Sequence, residues 1–311
     1  MLDSILTTLA ATDPLGHVVN QPSDFKTQSG FWIWSTNQGT LVLSGIILIV
    51  VGLWAANKIK TGPKGQGAEA YVTKNRFAHM IEVMVVYLRE EVVRPLLGDR
   101  TNKFFPILLT FFFFILVNNL LGLAPIRDLL EVVGLDKRLI GGTATQNIWV
   151  TGALALLSAI LFNAAAVFRL GPVGFVKHML GGLPWYMFPI AILLLVIEAA
   201  GQFIIKPFAL ALRLFANMTA GHVLIATLLI ASGTAITNIR HGTAGGGDYA
   251  AIGISVIGSI LLTFLELFVA FLQAFVFMFL TTIFISLMDH HDEHGHEHGH
   301  DHATGHEHAH A

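Results

Sequence analysis

The amino-acid sequence predicts an all-α integral membrane protein with about five membrane-crossing helices and one amphipathic helix. Three observations carry that expectation. Charged residues make up 12% of the chain, about half of what a soluble domain carries. The apolar residues come in long blocks: segments 104–126, 139–168, 178–197, 214–239 and 267–288 contain no Asp, Glu, Lys or Arg. Roughly 20 residues of helix cross the hydrocarbon layer, so each block is long enough. Finally, the blocks lack the alternation of a barrel strand. Helix is then the remaining way to satisfy backbone polar groups in lipid.

Each element follows in order. Residues 1–30 are polar and form an N-terminal extracytoplasmic segment; the stretch does not resemble a cleaved signal or transit peptide. The first span occupies 31–57, with Phe31, Trp32 and Trp34 suited to the interface. A basic loop, 58–103, contains an amphipathic stretch over 75–97. There Phe77, Met80, Ile81, Met84, Val85 and Leu88 recur at helical spacing, opposite Glu82, Arg89 and Glu90. That pattern suits a helix lying in the membrane interface, and equally a helix of an aqueous loop. Residues 104–288 form a helical bundle. Its first span, Phe104–Ala124, stops at Pro125, and a charged, glycine-containing connector covers 126–146. Another span covers Asn147–Phe168, with Arg169 and Lys177 marking the next aqueous loop. Two long apolar regions, 185–231 and 250–288, flank a Gly/Thr/Asn-rich loop at 232–248. The first of them accommodates a hairpin, or a short and a long helix broken at Lys206-Pro207.

Basic residues favour the cytoplasmic side. The loop at 58–103 holds nine, against Lys26 alone before the first span. The N-terminus is therefore expected outside and the C-terminus in the cytoplasm, after five crossings. Residues 289–311 form a disordered, His-rich tail. His290, His291, His294 and His296 are candidates for loose metal binding, although such tracts also bind metals without being selected for it. There is no cysteine, hence no disulfide framework and no thiolate metal site.

Glu198, Lys206, Arg213, His222 and Glu266 fall within the last two apolar regions. An Arg at the bilayer centre costs at least about 2.5–3.5 kcal/mol, which makes such residues functional candidates. Lys206, at a helix break, can equally snorkel to the surface. Arg213 has long apolar flanks on both sides. It shares a helix face with Asn217, and Ala209, Ala216 and Ala220 lie along or beside that face, letting a partner helix approach. His222 lies about 13.5 Å further along the axis, on the opposite side. Ser255, Ser259, Thr263, Glu266, Ala270 and Gln273 step by three or four residues and form a second stripe. Hydroxyls alone would serve to glue helices; a Glu among them argues for water access or a charged partner. Glu and His exchange protons near neutral pH, whereas Arg stays charged. An Arg between two titratable groups is a barrier to a hydrated proton, and it attracts a carboxylate.

Leu212-Arg213-Leu214-Phe215-Ala216-Asn217-Met218-Thr219-Ala220-Gly221-His222 closely resembles the signature of subunit a of the F-type ATP synthase membrane sector. Lys206-Pro207-Phe208 precedes it as in that family. The run from Glu266 to Phe277 resembles the family's final helix, and Asn118-Asn119-Leu120-Leu121-Gly122-Leu123-Ala124-Pro125 resembles an earlier span. The likeness covers roughly residues 75–288. It implies two long, strongly tilted last helices set against a rotating c-ring whose subunits carry membrane carboxylates. Arg213 would face those carboxylates and separate two aqueous half-channels. Asn217 and Gln273 would be its polar neighbours, and His222 and Glu266 would line a proton path, the outer one. Glu198 resembles an acidic position of the family, one residue out of spacing. The resemblance also implies a peripheral stalk subunit b as partner, and a bacterial inner membrane as location. It assigns nothing to residues 127–142 or to the tail.

The chain has no G-x-x-x-x-G-K-S/T loop and no basic excess. No nucleotide, nucleic acid, cofactor or catalytic role is therefore expected. The competing reading is an ion-coupled secondary transporter with its own pore. Such proteins often show internal repeats, and none is evident here.

Overall fold

A computed structural model describes residues 34–59, 73–124, 140, 143–180 and 188–290. The N-terminal segment, residues 60–72 of the basic loop, most of the 126–146 connector and the tail beyond His290 lie outside these residues.

The described chain is built from helices. Helix α1 spans Thr36–Lys58, and the Gln38 side chain accepts from the Ser35 amide at 2.8 Å at its start. Its small and polar face is buried: Thr36, Gly39, Thr40 and Ser44 turn inward, while Val42, Ile46, Ile49 and Leu53 are exposed. That polarity is the reverse of a soluble helix. It is what lipid demands, since an apolar side chain gains nothing by leaving hydrocarbon while small residues let helices approach.

Helix α2 (Arg76–Tyr87) starts at Asn75, whose side chain accepts from the amides of Phe77 and Ala78. It passes through a π turn (Leu88–Val93) into the short α3 (Arg94–Leu97) and a 3-10 turn (Gly98–Arg100), then into α4 (Thr101–Leu123). The amphipathic helix is therefore real, and its inner face keeps Ile81, Met84, Val85 and Leu88 of the predicted one. Ala78, Leu88 and Val92 are buried, whereas Phe77 and Met80 are exposed, and Phe77 contacts the Trp54 ring at 5.7 Å.

Helix α5 (Ile148–Met179) follows a 3-10 turn at Ala144–Gln146. The expected aqueous loop at Arg169 is instead helix, reoriented at Gly171 (φ 70, ψ 165). A positive φ is accessible to glycine, and Pro172 suits the first turn of the new segment. Helix α6 (Phe188–Ala200), a π turn (Gly201–Ile205) and α7 (Lys206–Arg240) form one helical run, and α8 (Gly246–His290) returns beside it. No hairpin interrupts 188–240. The predicted loop at 232–248 shrinks to a turn at Gly242 (φ 70): the helix runs on through Ser232, Thr234 and Thr237, whose hydroxyls are satisfied within it by carbonyls of the preceding turn.

Both π turns end on a basic residue followed by proline. Proline lacks the N–H that closes an α-helical bond. The turn before it widens: the Arg94 amide donates to the Arg89 carbonyl, and the Lys206 amide to the Gly201 carbonyl, five residues back. A sharp break is thereby converted into a local change of register.

Among the described residues, five helical segments are long and apolar enough to cross a membrane. At 1.5 Å per residue, α8 is about 68 Å long and the 188–240 run about 80 Å. Against about 30 Å of hydrocarbon, neither can stand upright within the layer. The core joins α4, α5, α7 and α8 through Phe112, Phe162, Leu214, Phe277, Met278 and Ile285. Edge-on ring contacts link Phe111 with Phe277 and Phe162 with Phe284. Buried hydroxyls add cross-links, with Ser158 Oγ on α5 and Thr281 Oγ1 on α8 at 2.8 Å and Ser286 on α8 donating to the Leu96 carbonyl on α3. Bonds of this kind in membranes contribute about 0.6 kcal/mol each.

Candidate functional site

The antiparallel pair α7–α8 carries most of the predicted residues. One face of α7 is locked into the core by Leu210, Ala211, Leu214 and Met218. A quarter turn or more away, Ala209, Arg213, Ala216 and Ala220 are exposed, with Asn217 half-buried beside them. The smooth stripe inferred from spacing is therefore an outer surface of the bundle. Arg213 has no carboxylate partner and no hydrogen bond among the described residues.

Behind this surface lies a buried polar layer. Glu266 is 7% exposed, and neither carboxyl oxygen has a hydrogen-bond partner among the described residues. Its carboxyl rests against Gly221 on α7: a Cβ built on that glycine would lie 2.1 Å from Glu266 Oε1. A carboxyl this enclosed requires water or a proton, because an unpaired buried charge costs several kcal/mol. His222, the next residue along α7, is half-buried, and its Nε2 lies 2.8 Å from Thr143 Oγ1. The inner side of α8 also buries Ser255, Ala270 and Gln273, whose Nε2 is unpartnered among the described residues. Thr263 departs from the predicted stripe: it is exposed and donates to the Ser259 carbonyl.

Four residues complete this layer that the spacing argument had not selected: Asn119, Gly122, Thr143 and Thr145. The absence of a side chain at Gly122 admits the Thr143 side chain, since a built Cβ would meet Thr143 Oγ1 at 1.8 Å. Thr145 donates to Asn119 Oδ1, and Asn119 donates to the carbonyl of Ala270, one turn from Glu266. An Asn pair and a Gly inside an apolar span were visible signals. Thr143 and Thr145 sat in a polar connector, where hydroxyls are ordinary.

Glu198 lies elsewhere. It is half-buried on α6, eight residues before Lys206. At helical rise it is about 22 Å before Arg213 and about 36 Å before His222. Lys206 itself is held inward: it donates to Gln202 Oε1 at 2.8 Å and lies over the Phe284 ring. Snorkelling outward is therefore not its arrangement. Among the described residues no group of three His, Asp or Glu is placed to hold a metal ion. The tail histidines after His290 lie outside them.

Fold and site together define a polytopic helical membrane protein that keeps ionisable side chains within its spans. The chain belongs to the ATP synthase A chain family, whose model matches residues 39–286. It is 37% identical over 244 residues to ATP synthase subunit a 2 of Chlorobaculum tepidum, covering 78% of this chain and 60% of that one. It is likewise 37% identical over 233 residues to ATP synthase subunit a of Anaeromyxobacter dehalogenans, covering 74% and 51%. A third relative, ATP synthase subunit a of Chloroherpeton thalassium, is 37% identical over 187 residues, covering 60% and 49%. The chain thus spans about half to three fifths of the length of these bacterial relatives.

Proposed function

We propose that this chain is the stator subunit of an ATP synthase membrane sector, forming two offset proton half-channels against a c-ring. The observation that carries the reading is the contrast on α7. Arg213 stands on an outer, alanine-smoothed surface without a partner among the described residues of its own chain, while His222 is half-buried further along the helix and Glu266 of the neighbouring α8 is buried. A cation that never neutralises can attract a ring carboxylate and strip its proton. Once both are charged, it also blocks a proton from passing directly between the two paths. Asn217 and Gln273 serve as its polar neighbours.

His222 and Glu266, with Thr143 beside them, line the outer path. Glu198 lies on the other side of Arg213 along the helical run and fits the inner one. The chain itself is non-catalytic and binds no nucleotide. Its partners are the c-ring, a peripheral stalk subunit b and the lipid bilayer of a bacterial inner membrane. The N-terminus lies outside, the 58–103 loop and the 289–311 tail in the cytoplasm, and residues 104–288 form the channel bundle.

Gentle detergent extraction tests the assignment first. The chain should copurify with a ring of small hairpin subunits; isolation as a lone pore active in ion-coupled transport would refute it. The buried carboxyl supplies a second test. Glu266→Gln preserves shape and removes the titrating proton, so proton-driven ATP synthesis in vesicles should fall by about tenfold, equivalent to about 1.4 kcal/mol. An unchanged rate would remove Glu266 from the path.

A further inference from the structure

A groove of about 440 Å³ opens between the start of α4 and the end of the first straight part of α5, well away from the Glu266 layer. Its walls are Phe104, Ile107, Leu161, Ala164, Ala165 and Phe168, and its mouth carries Arg100, Lys103 and Arg169. Among the described residues no carboxylate lines it. Because α4 and α5 run antiparallel, the beginning of one and the Arg169 end of the other lie on the same side of the bundle. By the charge rule this is the side of the basic loop. Lys103 is placed over the Phe104 ring, its Nζ 5.8 Å from the ring centre, so its charge is held at the apolar wall.

We infer that this groove binds one anionic phospholipid, with the headgroup phosphate at Arg100, Lys103 and Arg169 and an acyl chain along the Phe104–Phe168 wall. The groove joins charge complementarity to shape. A purely apolar slot would accept any lipid tail, and a purely cationic cluster would accept any anion. Here the cations stop where the hydrocarbon-facing wall begins, as a phospholipid's own phosphate and tail do. The volume is within the range of small-molecule sites, and basic pockets between spans on the cytoplasmic side favour anionic headgroups. Arg100 and Arg169 also have contacts within the chain, and no described residue lining the groove beside them is acidic.

The test uses the assembled complex, delipidated and titrated with dioleoyl phosphatidylglycerol or dioleoyl phosphatidylcholine, with retained lipid read by native mass spectrometry. Phosphatidylglycerol should be retained preferentially. Arg100→Gln combined with Arg169→Gln should weaken retention by about fivefold per charge removed, whereas Arg100→Lys with Arg169→Lys should keep it. Equal retention of the two lipids, or indifference to the Gln pair, would overturn the inference. Displacement of the lipid by excess inorganic phosphate would do the same, showing that the site reads an anion alone. A phosphatidylglycerol carrying a diazirine on its acyl chain needs no variant: its crosslinks should map to peptides containing Ile107 and Leu161. If a benzoyl-phenylalanine at Ile107 instead crosslinks to a protein helix, that helix is the occupant and the lipid assignment fails.

Discussion

Arg213→Ala is expected to abolish proton-driven ATP synthesis, by at least about two orders of magnitude, while the assembled complex stays near its normal abundance. Both halves follow from the position of the side chain. Arg213 is exposed and makes no ion pair or hydrogen bond among the described residues. Truncating it therefore leaves no buried partner unsatisfied among them, and surface substitutions of that kind usually shift stability by under about 0.5 kcal/mol. The functional loss is large because no neighbour can replace a charge that persists at every working pH. A lysine in its place would keep the charge but lose the planar fork, so Arg213→Lys should also be severely impaired. Inverted vesicles provide the rate and native gels the amount of complex. Normal synthesis by the Ala variant would end the assignment; collapse of the complex would show the residue to be structural.

Gly122→Val should give the largest loss of stability. A Cβ at that position would stand 1.8 Å from Thr143 Oγ1 and 2.6 Å from Thr143 Cβ. The second distance decides the outcome: rotating the threonine relieves the first contact, but the second requires the backbone at 143 to move. That movement would pull Thr143 from His222 and Thr145 from Asn119. Overpacking typically costs about 1–3 kcal/mol, here with polar bonds lost as well. Less assembled complex and a lower thermal midpoint in detergent are the expected readings. Gly122→Ala should be milder, rescued by Thr143→Gly but not by Thr143→Ala, whose Cβ remains. Gly221→Ala makes a useful contrast. Its nearest obstacle is Glu266 Oε1, the end of a flexible side chain, at 2.1 Å. Stability should change little while ATP synthesis drops, because the carboxyl must swing out of its slot. Equal midpoints for wild type and Gly122→Val would dispose of the slot argument.

Much of this could be read from residue order. Long uncharged blocks demand spanning helices because lipid offers no partner to a backbone amide. The three- and four-residue steps that join Arg213 to Asn217, and Ser259 to Glu266 and Gln273, state which side chains share a helix face. Helical periodicity is a local property, so local sequence carries it. Boundaries were harder. Hydroxyls at 232–237 read as loop but bond back to their own helix, and Pro207 reads as a break but is absorbed by a π turn.

Periodicity says nothing about which face meets which neighbour. Only the packed bundle turned Arg213 outward and Glu266 inward. Only it set Gly221 against a carboxyl and Gly122 against a threonine, and brought Thr143 to His222 from 79 residues away. The physical reason is that these contacts arise from close approach between helices remote in the chain. A glycine's missing side chain acquires meaning when another residue fills the space it leaves.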